Sequence, residues 1–370
     1  MKKRSKTLVI LTPAFPGTES ETHWVPTQQL FVATLKNNYP HLQIIVLSFY
    51  YPYLTSEYEW NELPVYCFNG TKKRKARRIF FWNSIWRKLK MIRRENEVIG
   101  LFSFWCGECA LMGRYFGKLY GIPHYCWLCG QDARRSNKMV SFIRPVPHEL
   151  IAMSDFLVEE FHRNHGIRPA HMIPNGIDPE VFPLVHVHDR DIDIMGAGSL
   201  SHIKRYDLLV EVVAALKPLF PAIRAVHCGE GEAREAIRES IEHAGLDDHL
   251  FLLGERSHEE TLALMQRSRV FLHTSAYEGF GVVCLEALYA GAQVISFCKP
   301  MQADIPNWHI ADDVADMVGK AARVLNDPDP VYRPVLPYTM DDTVRAVMAL
   351  FESRPVKAKR WGDRLKGDIV

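Results

Sequence analysis

The chain reads as an α/β protein of two doubly wound domains, each a largely parallel sheet covered by helices on both faces. Three observations predict this. Short apolar runs without polar alternation mark strands buried on both sides. Helical stretches separate those runs, which is the rhythm of βαβ units. The rhythm occurs twice, in a chain whose 370 residues exceed one ordinary core. A composition of 47% hydrophobic and 24% charged residues suits a globular protein with ample core material.

In the first half, strands are expected at Thr7–Thr12, Gln43–Phe49, Val98–Phe104, Pro123–Leu128, Glu149–Met153 and Ala170–Ile173. Helices fit His23–Leu35 and Cys109–Tyr120, and Ser154 caps another that runs to about Asn164. In the second half the strands are Asp191–Met195, Ile223–His227, His249–Leu253, Arg269–His273 and Gln293–Phe297. Helices fit Tyr206–Leu216, Ala233–Ala244, His258–Arg267, Val282–Ala290 and Asp312–Leu325, with Ser257 and Glu260 forming a capping box. A last helix, Asp341–Glu352, follows Thr339. The expected domains are therefore 1–183 and 184–337, joined through Pro174–Arg190, with 338–370 crossing back to the first.

Met1-Lys2-Lys3-Arg4 followed by Leu8–Leu11 imitates a secretion signal, but Thr12-Pro13 cuts the apolar piece short and no small-residue cleavage site follows. It reads as the first buried strand of a cytoplasmic protein. The net charge of +2 hides an asymmetry: Thr71–Arg94 carries eleven Lys/Arg and no acid, leaving 34 basic against 43 acidic residues elsewhere. That is a local device, not a nucleic-acid footprint, and no nucleic-acid partner is expected. Phe81, Ile85, Leu89 and Ile92 recur there at helical spacing. The stretch fits a cationic helix lying on the inner face of an anionic membrane, or an ordinary helix whose apolar face packs inward.

Ligands of open α/β sheets bind beyond the carboxyl ends of the strands. Three junctions in the second half stand out. After Asp191–Met195, Gly196-Ala197-Gly198-Ser199 leads to Lys204, which suits a pyrophosphate or a plain tight turn. Gly229-Glu230-Gly231 clears space at a second strand end. After Arg269–His273, Glu278-Gly279-Phe280-Gly281-Val282 opens a helix whose N-terminus favours an anion, and Glu286 sits in its apolar interior, where an unpaired charge is costly.

With Ile173-Pro174-Asn175-Gly176-Ile177-Asp178, these stretches resemble the family-4 retaining glycosyltransferases of GT-B fold, in which two Rossmann-like domains face each other across a cleft. The likeness covers about Asp155 to Phe297, including the E-x7-E spacing of Glu278 and Glu286. The resemblance implies a donor that is a nucleotide-diphosphate sugar, a glycan or lipid-linked acceptor, and no metal or other cofactor. It implies that Lys204 contacts the pyrophosphate, that Glu278 faces the transferred sugar, and that Glu286 holds the ribose hydroxyls. It gives Phe280, Gly281 and Val282 backbone contacts to sugar and phosphates, and Gly198, Gly229 and Gly231 places along the donor. A frequent family arginine is Ser199 here, so Lys204 or Arg205 must carry more phosphate charge. A frequent histidine is replaced by Cys129, in Cys129-Gly130-Gln131-Asp132, which makes Asp132, with Gln131, the candidate for sugar or acceptor contact and Asp132 a catalytic candidate. In the first loop the usual paired glycines are absent, and Gly17 alone is left to approach phosphate.

Other readings compete. Cys106-x-x-Cys109 and Cys126-x-x-Cys129 match a zinc ribbon in spacing, or are reduced and buried thiols. His186-Val187-His188-Asp189 reads as an exposed linker, with a metal site as the alternative. A nicotinamide-dependent dehydrogenase would want G-x-G-x-x-G after a strand, and the turn at Gly196 supplies only its first half. A nucleotide-sugar-binding protein without catalysis, or a nucleic-acid binder using residues 71–94, completes the alternatives.

Overall fold

A computed structural model describes residues 4–22, 24–70, 75–183 and 190–352, with only the backbone of 75–77. The chain divides into two units, one of Met1–Pro174 with Met340 onward and one of Asn175–Thr339. The first unit therefore ends at Pro174, earlier than the sequence boundary, because Asn175–Phe182 packs with the second. There Ile177 N–H donates to the Tyr338 carbonyl at 3.2 Å and pairs with Thr339 in a parallel bridge.

The first unit runs β1 (Lys6–Ala14), α1 (Pro26–Asn38), β2 (Gln43–Tyr51), β3 (Thr55–Trp60), β4 (Leu63–Phe68), α2 (Lys75–Glu95) and β5 (Glu97–Phe104). It continues with α3 (Glu108–Tyr120), β6 (His124–Leu128), α4 (Met139–Ile143), β7 (Leu150–Ala152), α5 (Asp155–His165) and β8 (His171–Met172). Strand order is β3-β4-β2-β1-β5-β6-β7-β8, parallel except for β3 against β4. Central β1 explains its own unbroken apolar run. Leu8 and Ile10 pack with α1 on one face, Val9 and Leu11 pack with α2 and α3 on the other, and all four are fully buried.

Two features differ from the sequence reading. The β3–β4 hairpin was not expected, because its turn is Asn61-Glu62, without glycine. Both residues have positive φ (45° and 59°), as a two-residue hairpin turn requires, and Lys36 Nζ holds the turn at the Asn61 carbonyl (2.6 Å) and at Glu62 (2.8 Å). The second difference concerns α2. Its Phe81, Ile85, Leu89 and Ile92 face is buried on the sheet, which removes that face from any membrane. Of the basic stretch, residues 71–74 lie outside the described residues, as does His23 of the first expected helix.

The second unit runs β9 (Ile192–Ala197), α6 (Asp207–Leu216), β10 (Ala225–Cys228), α7 (Arg234–His243), β11 (Leu250–Gly254) and α8 (His258–Gln266). Then come β12 (Ser268–His273), α9 (Val282–Tyr289), β13 (Gln293–Ser296), β14 (Trp308–Ile310) and α10 (Val314–Asn326). The short β14 is a further strand that the sequence reading passed over. The parallel order β11-β10-β9-β12-β13-β14 starts at the centre and reverses direction between β9 and β12. That reversal opens a crevice beyond the carboxyl ends of these two strands.

The last helix, α11 (Met340–Glu352), belongs to the first unit. Its Phe351 ring occupies the space above Gly100 of β5, where a Cβ would lie 2.3 Å from the ring. Phe351 also meets the Tyr125 ring edge-on at 4.9 Å, and the Tyr125 hydroxyl donates to the Leu350 carbonyl at 2.9 Å. Phe351 is only 7% exposed, so Phe351→Ala is expected to destabilise the first unit by about 3 kcal/mol. Gly100→Val should do similar damage by expelling the ring. Urea unfolding followed by the fluorescence of the first unit's tryptophans would measure both.

Candidate functional site

The crevice of the second unit is built by turns that leave β9, β10 and β12. Gly198 follows β9 with φ 143°, and the turn after β10 lies against it backbone to backbone. Gly198 N–H donates to the Cys228 carbonyl and Leu200 N–H to the Glu230 carbonyl, both at 2.9 Å. A Cβ on Gly229 would come within 2.0 Å of the Gly198 oxygen, and one on Gly231 within 2.3 Å of the Leu200 oxygen. These glycines are thus required by each other's turns before any ligand is considered. The Tyr206 hydroxyl braces the same turn by donating to the Ala197 carbonyl at 2.7 Å.

The turn ends in one tight helical loop, His202–Lys204, stopped by Arg205 in the left-handed region at φ 51°. The Thr274 hydroxyl, just past β12, donates to the Lys204 carbonyl at 2.8 Å and so ties the two sides of the crevice. Across it Lys204 Nζ reaches Glu278 Oε2 at 2.5 Å. His273, at the end of β12, brings Nε2 to 3.5 Å from the same oxygen. This is an electrostatic approach and not a hydrogen bond, for neither buried His273 nitrogen has a hydrogen-bond partner. Burial acts to raise the Glu278 carboxyl, but the nearby His273 and Lys204 outweigh it and bring it down to about 2.

Gly281 forms the N-cap of α9 at φ 83°, with its Cβ position 3.5 Å from Glu278 Cγ. Among the described residues no side chain caps this helix, so its first-turn amides and dipole face the crevice uncapped. Val282 is half-buried there, while the Phe280 ring is buried against Tyr338 and leaves only its backbone to a ligand. Ser199 and Arg205 are exposed, with Arg205 3.8 Å from Asp207. Farther along α9, Glu286 Oε1 meets His258 Nε2 at 2.8 Å, and that bond raises the His258 imidazole against the opposing effect of burial.

The structure therefore brings Lys204, Glu278, the glycine turns and the start of α9 together, with Glu286 on the same helix. Asp132 and Gly17 belong to the other unit. The Asp132 carboxylate is buried, accepts the Cys129 N–H at 2.8 Å, and is pushed up to about 7 by burial. Gly17 N–H is already donated to Glu21 Oε2 at 3.0 Å. Cys106, Cys109 and Cys126 are buried free thiols, and Cys129 is half-buried. Among the described residues no three His, Cys, Asp or Glu side chains are placed to share a metal ion, so the zinc-ribbon spacing does not assemble. His186, His188 and Asp189 lie outside the described residues. Sequence reasoning missed His258, His273 and Thr274 as site residues, because nothing local distinguishes them from a helix start and a strand end.

Residues 184–328 match the family model described as glycosyl transferases group 1. One component of the phosphatidylinositol N-acetylglucosaminyltransferase of Arabidopsis thaliana is 29% identical over 287 residues, 75% of this chain and 59% of that protein. The chain thus spans about three-fifths of that relative's length. Among solved structures, the sucrose-phosphate synthase of Thermosynechococcus elongatus superposes with a TM-score of 0.67 at 16% identity, over 94% of this chain and 95% of that one. Anabaena HepE in complex with UDP-glucose superposes at 0.66 and 15% identity, over 94% and 97%. These last two likenesses show a shared fold.

Because the folded Glu278 carboxyl lies below its ordinary 4.5, its contribution to stability is complete above that value and fades as pH falls towards 2. The wild type should accordingly lose more stability between pH 4.5 and 2 than Glu278→Gln, as measured by denaturant midpoints across that window. Gly229→Ala, which forces a side chain at φ 137° into the Gly198 oxygen, should lower the thermal midpoint of the second unit by several degrees.

Proposed function

We propose that the chain is a glycosyltransferase of GT-B fold that transfers a sugar from a nucleotide-diphosphate donor to a lipid-linked acceptor, with retention of configuration; the match of residues 184–328 to the group 1 model supports this. The single observation that carries this reading is the meeting of Lys204 and Glu278 beside the uncapped start of α9, at the strand-order reversal of the second unit. Departure of the diphosphate from the sugar C1 leaves the bonding electron pair on a phosphate oxygen. Lys204 and the α9 amides lower the energy of that charge, so the protein's own groups do the work for which other transferases use a metal ion. Before the donor arrives, Glu278 holds the ammonium in place. A bound diphosphate, with more charge than one carboxylate, draws Lys204 over and frees Glu278 for the sugar hydroxyls. Glu286 receives the ribose hydroxyls.

A lipid-linked acceptor is supported by the phosphatidylinositol named for the Arabidopsis relative and by the surface of the first unit. Ile79 and Phe80 on the outer side of α2 are 66% and 75% exposed, and Tyr53 and Leu54 are exposed beside the start of β3. Arg87, Lys90 and Arg94 are exposed along the same helix. These residues, and not the buried Phe81 face, would sit at an anionic membrane. Among the described residues no helix is long and apolar enough to cross one.

Lys204→Ala and Glu278→Ala should each lower turnover by about a hundredfold or more at a temperature where circular dichroism shows the variant still folded, although loss of the ion pair lowers the thermal midpoint of both. Turnover within a fewfold of wild type in both would refute the site. Thermal-shift screening against UDP, GDP and ADP with their common sugars should show one nucleotide raising the midpoint, and activity should survive a chelator. Ile79→Glu with Phe80→Glu should abolish salt-sensitive sedimentation with phosphatidylglycerol vesicles. Equal sedimentation with phosphatidylcholine vesicles would overturn the membrane part.

A further inference from the structure

We propose that His258 is a positioning residue for the ribose of the donor: it pins the Glu286 carboxylate so that its other oxygen faces the sugar hydroxyls. The inference rests on the reading of Glu286 given above and concerns a residue that reading does not use.

A glutamate side chain has three free torsions, and a carboxylate that must receive a vicinal diol has to present its oxygens in one plane. Glu286 stands on α9 between Leu285 and Ala287, both fully buried, so its backbone cannot adjust. Its carboxylate has one hydrogen-bond partner among the described residues, His258 Nε2 at 2.8 Å on Oε1. Oε2 is left open. The Glu286 side chain is 17% exposed and that of His258 39%, so the pair lies at the surface of a partly closed recess and not in bulk water.

The position of His258 is itself fixed. It is the first residue of α8, directly after Ser257, whose side-chain oxygen accepts the Glu260 N–H at 3.2 Å while the Glu260 carboxylate accepts the Ser257 N–H at 2.9 Å. The capping box thus holds the imidazole at one height, and Glu286 is the group it meets. Around the pair, Glu260 is engaged with Ser257, and Cys284 of α9 is a fully buried thiol that burial keeps protonated. The imidazole can donate from Nε2 whether charged or neutral. With His258 in place, one carboxylate oxygen is already turned and desolvated before the nucleotide arrives. Without it, the carboxylate rotates and the ribose must order it.

A structural role for His258 would weaken all ligands alike. A positioning role weakens only those that carry the hydroxyl. The test is isothermal titration of wild type, His258→Ala, His258→Gln and Glu286→Ala with UDP, GDP and ADP, then with the 2′-deoxy form of whichever binds the wild type. The wild type is expected to prefer the ribonucleotide by about tenfold, the size of one hydrogen bond to a charged group. His258→Ala should lose most of that preference while binding the 2′-deoxy nucleotide as the wild type does. His258→Gln, which keeps a donor near the Nε2 position, should restore it. In turnover the same alanine variant should raise the donor KM with kcat unchanged. If Glu286→Ala loses the preference and His258→Ala keeps it in full, the inference is overturned and the donor site stands. If Glu286→Ala keeps it, or none of the three nucleotides binds the wild type, the donor-site reading falls and takes this inference with it.

Discussion

The pairing of Lys204 with Glu278 is the interaction on which the chemistry proposed for the second unit depends. A lysine and a glutamate on neighbouring loops are unremarkable by themselves. Here they approach from opposite sides of the point where strand order reverses, with the Thr274 hydroxyl fastening the lysine's own backbone. The ammonium is thereby held at the mouth of a crevice in a semi-buried setting, where attraction is less screened than in water. Keeping it there without a ligand requires a counter-charge, and Glu278 supplies it. The carboxyl is held far below its ordinary range because two cationic-capable groups, Lys204 and His273, converge on one of its oxygens.

That placement relies on a less conspicuous constraint. The turns after β9 and β10 touch through their backbones, so two glycines, Gly229 and Gly231, are fixed by sterics alone. Their contact sets the height of the loop that carries Lys204. Glycines that look like ligand-binding residues are therefore first of all spacers between two loops, and only the surface they leave open is available to a phosphate. The start of α9 completes the arrangement: a helix end that no described side chain satisfies has amides to offer.

Much of the fold was legible in the sequence because buried parallel strands leave a direct record. The unbroken Leu8–Leu11 run is a strand covered on both faces, and Ser154 and Ser257 mark helix starts that the structure shows as capped. What escaped has equally physical reasons. The Asn61-Glu62 turn adopts positive φ without glycine, supported by Lys36 from a distant helix, and no local signal announces it. The two sides of α2 could not be ranked by spacing alone, since helical periodicity names a face but not what covers it. At the site, Lys204, Glu278 and Glu286 were each visible by residue type and neighbourhood. Their partners were not: His273 and Thr274 read as the end of a strand, and His258, 28 residues from Glu286, became relevant only when α8 and α9 were folded side by side. Asp132 was visible as an acid, but its burial against the Cys129 amide was not.

The Phe351 ring over Gly100 has a consequence for the order of events during synthesis. Because α11 completes the first unit and is encoded after Thr339, the second unit is an insertion within the first, with its entry and exit zipped at Ile177 and Thr339. A ribosome must finish the whole insertion before the cap of the earlier sheet exists. Until then β5 carries an open notch where the aromatic ring will sit, and the nascent sheet of the first unit waits, incompletely covered, for a helix translated more than 200 residues later.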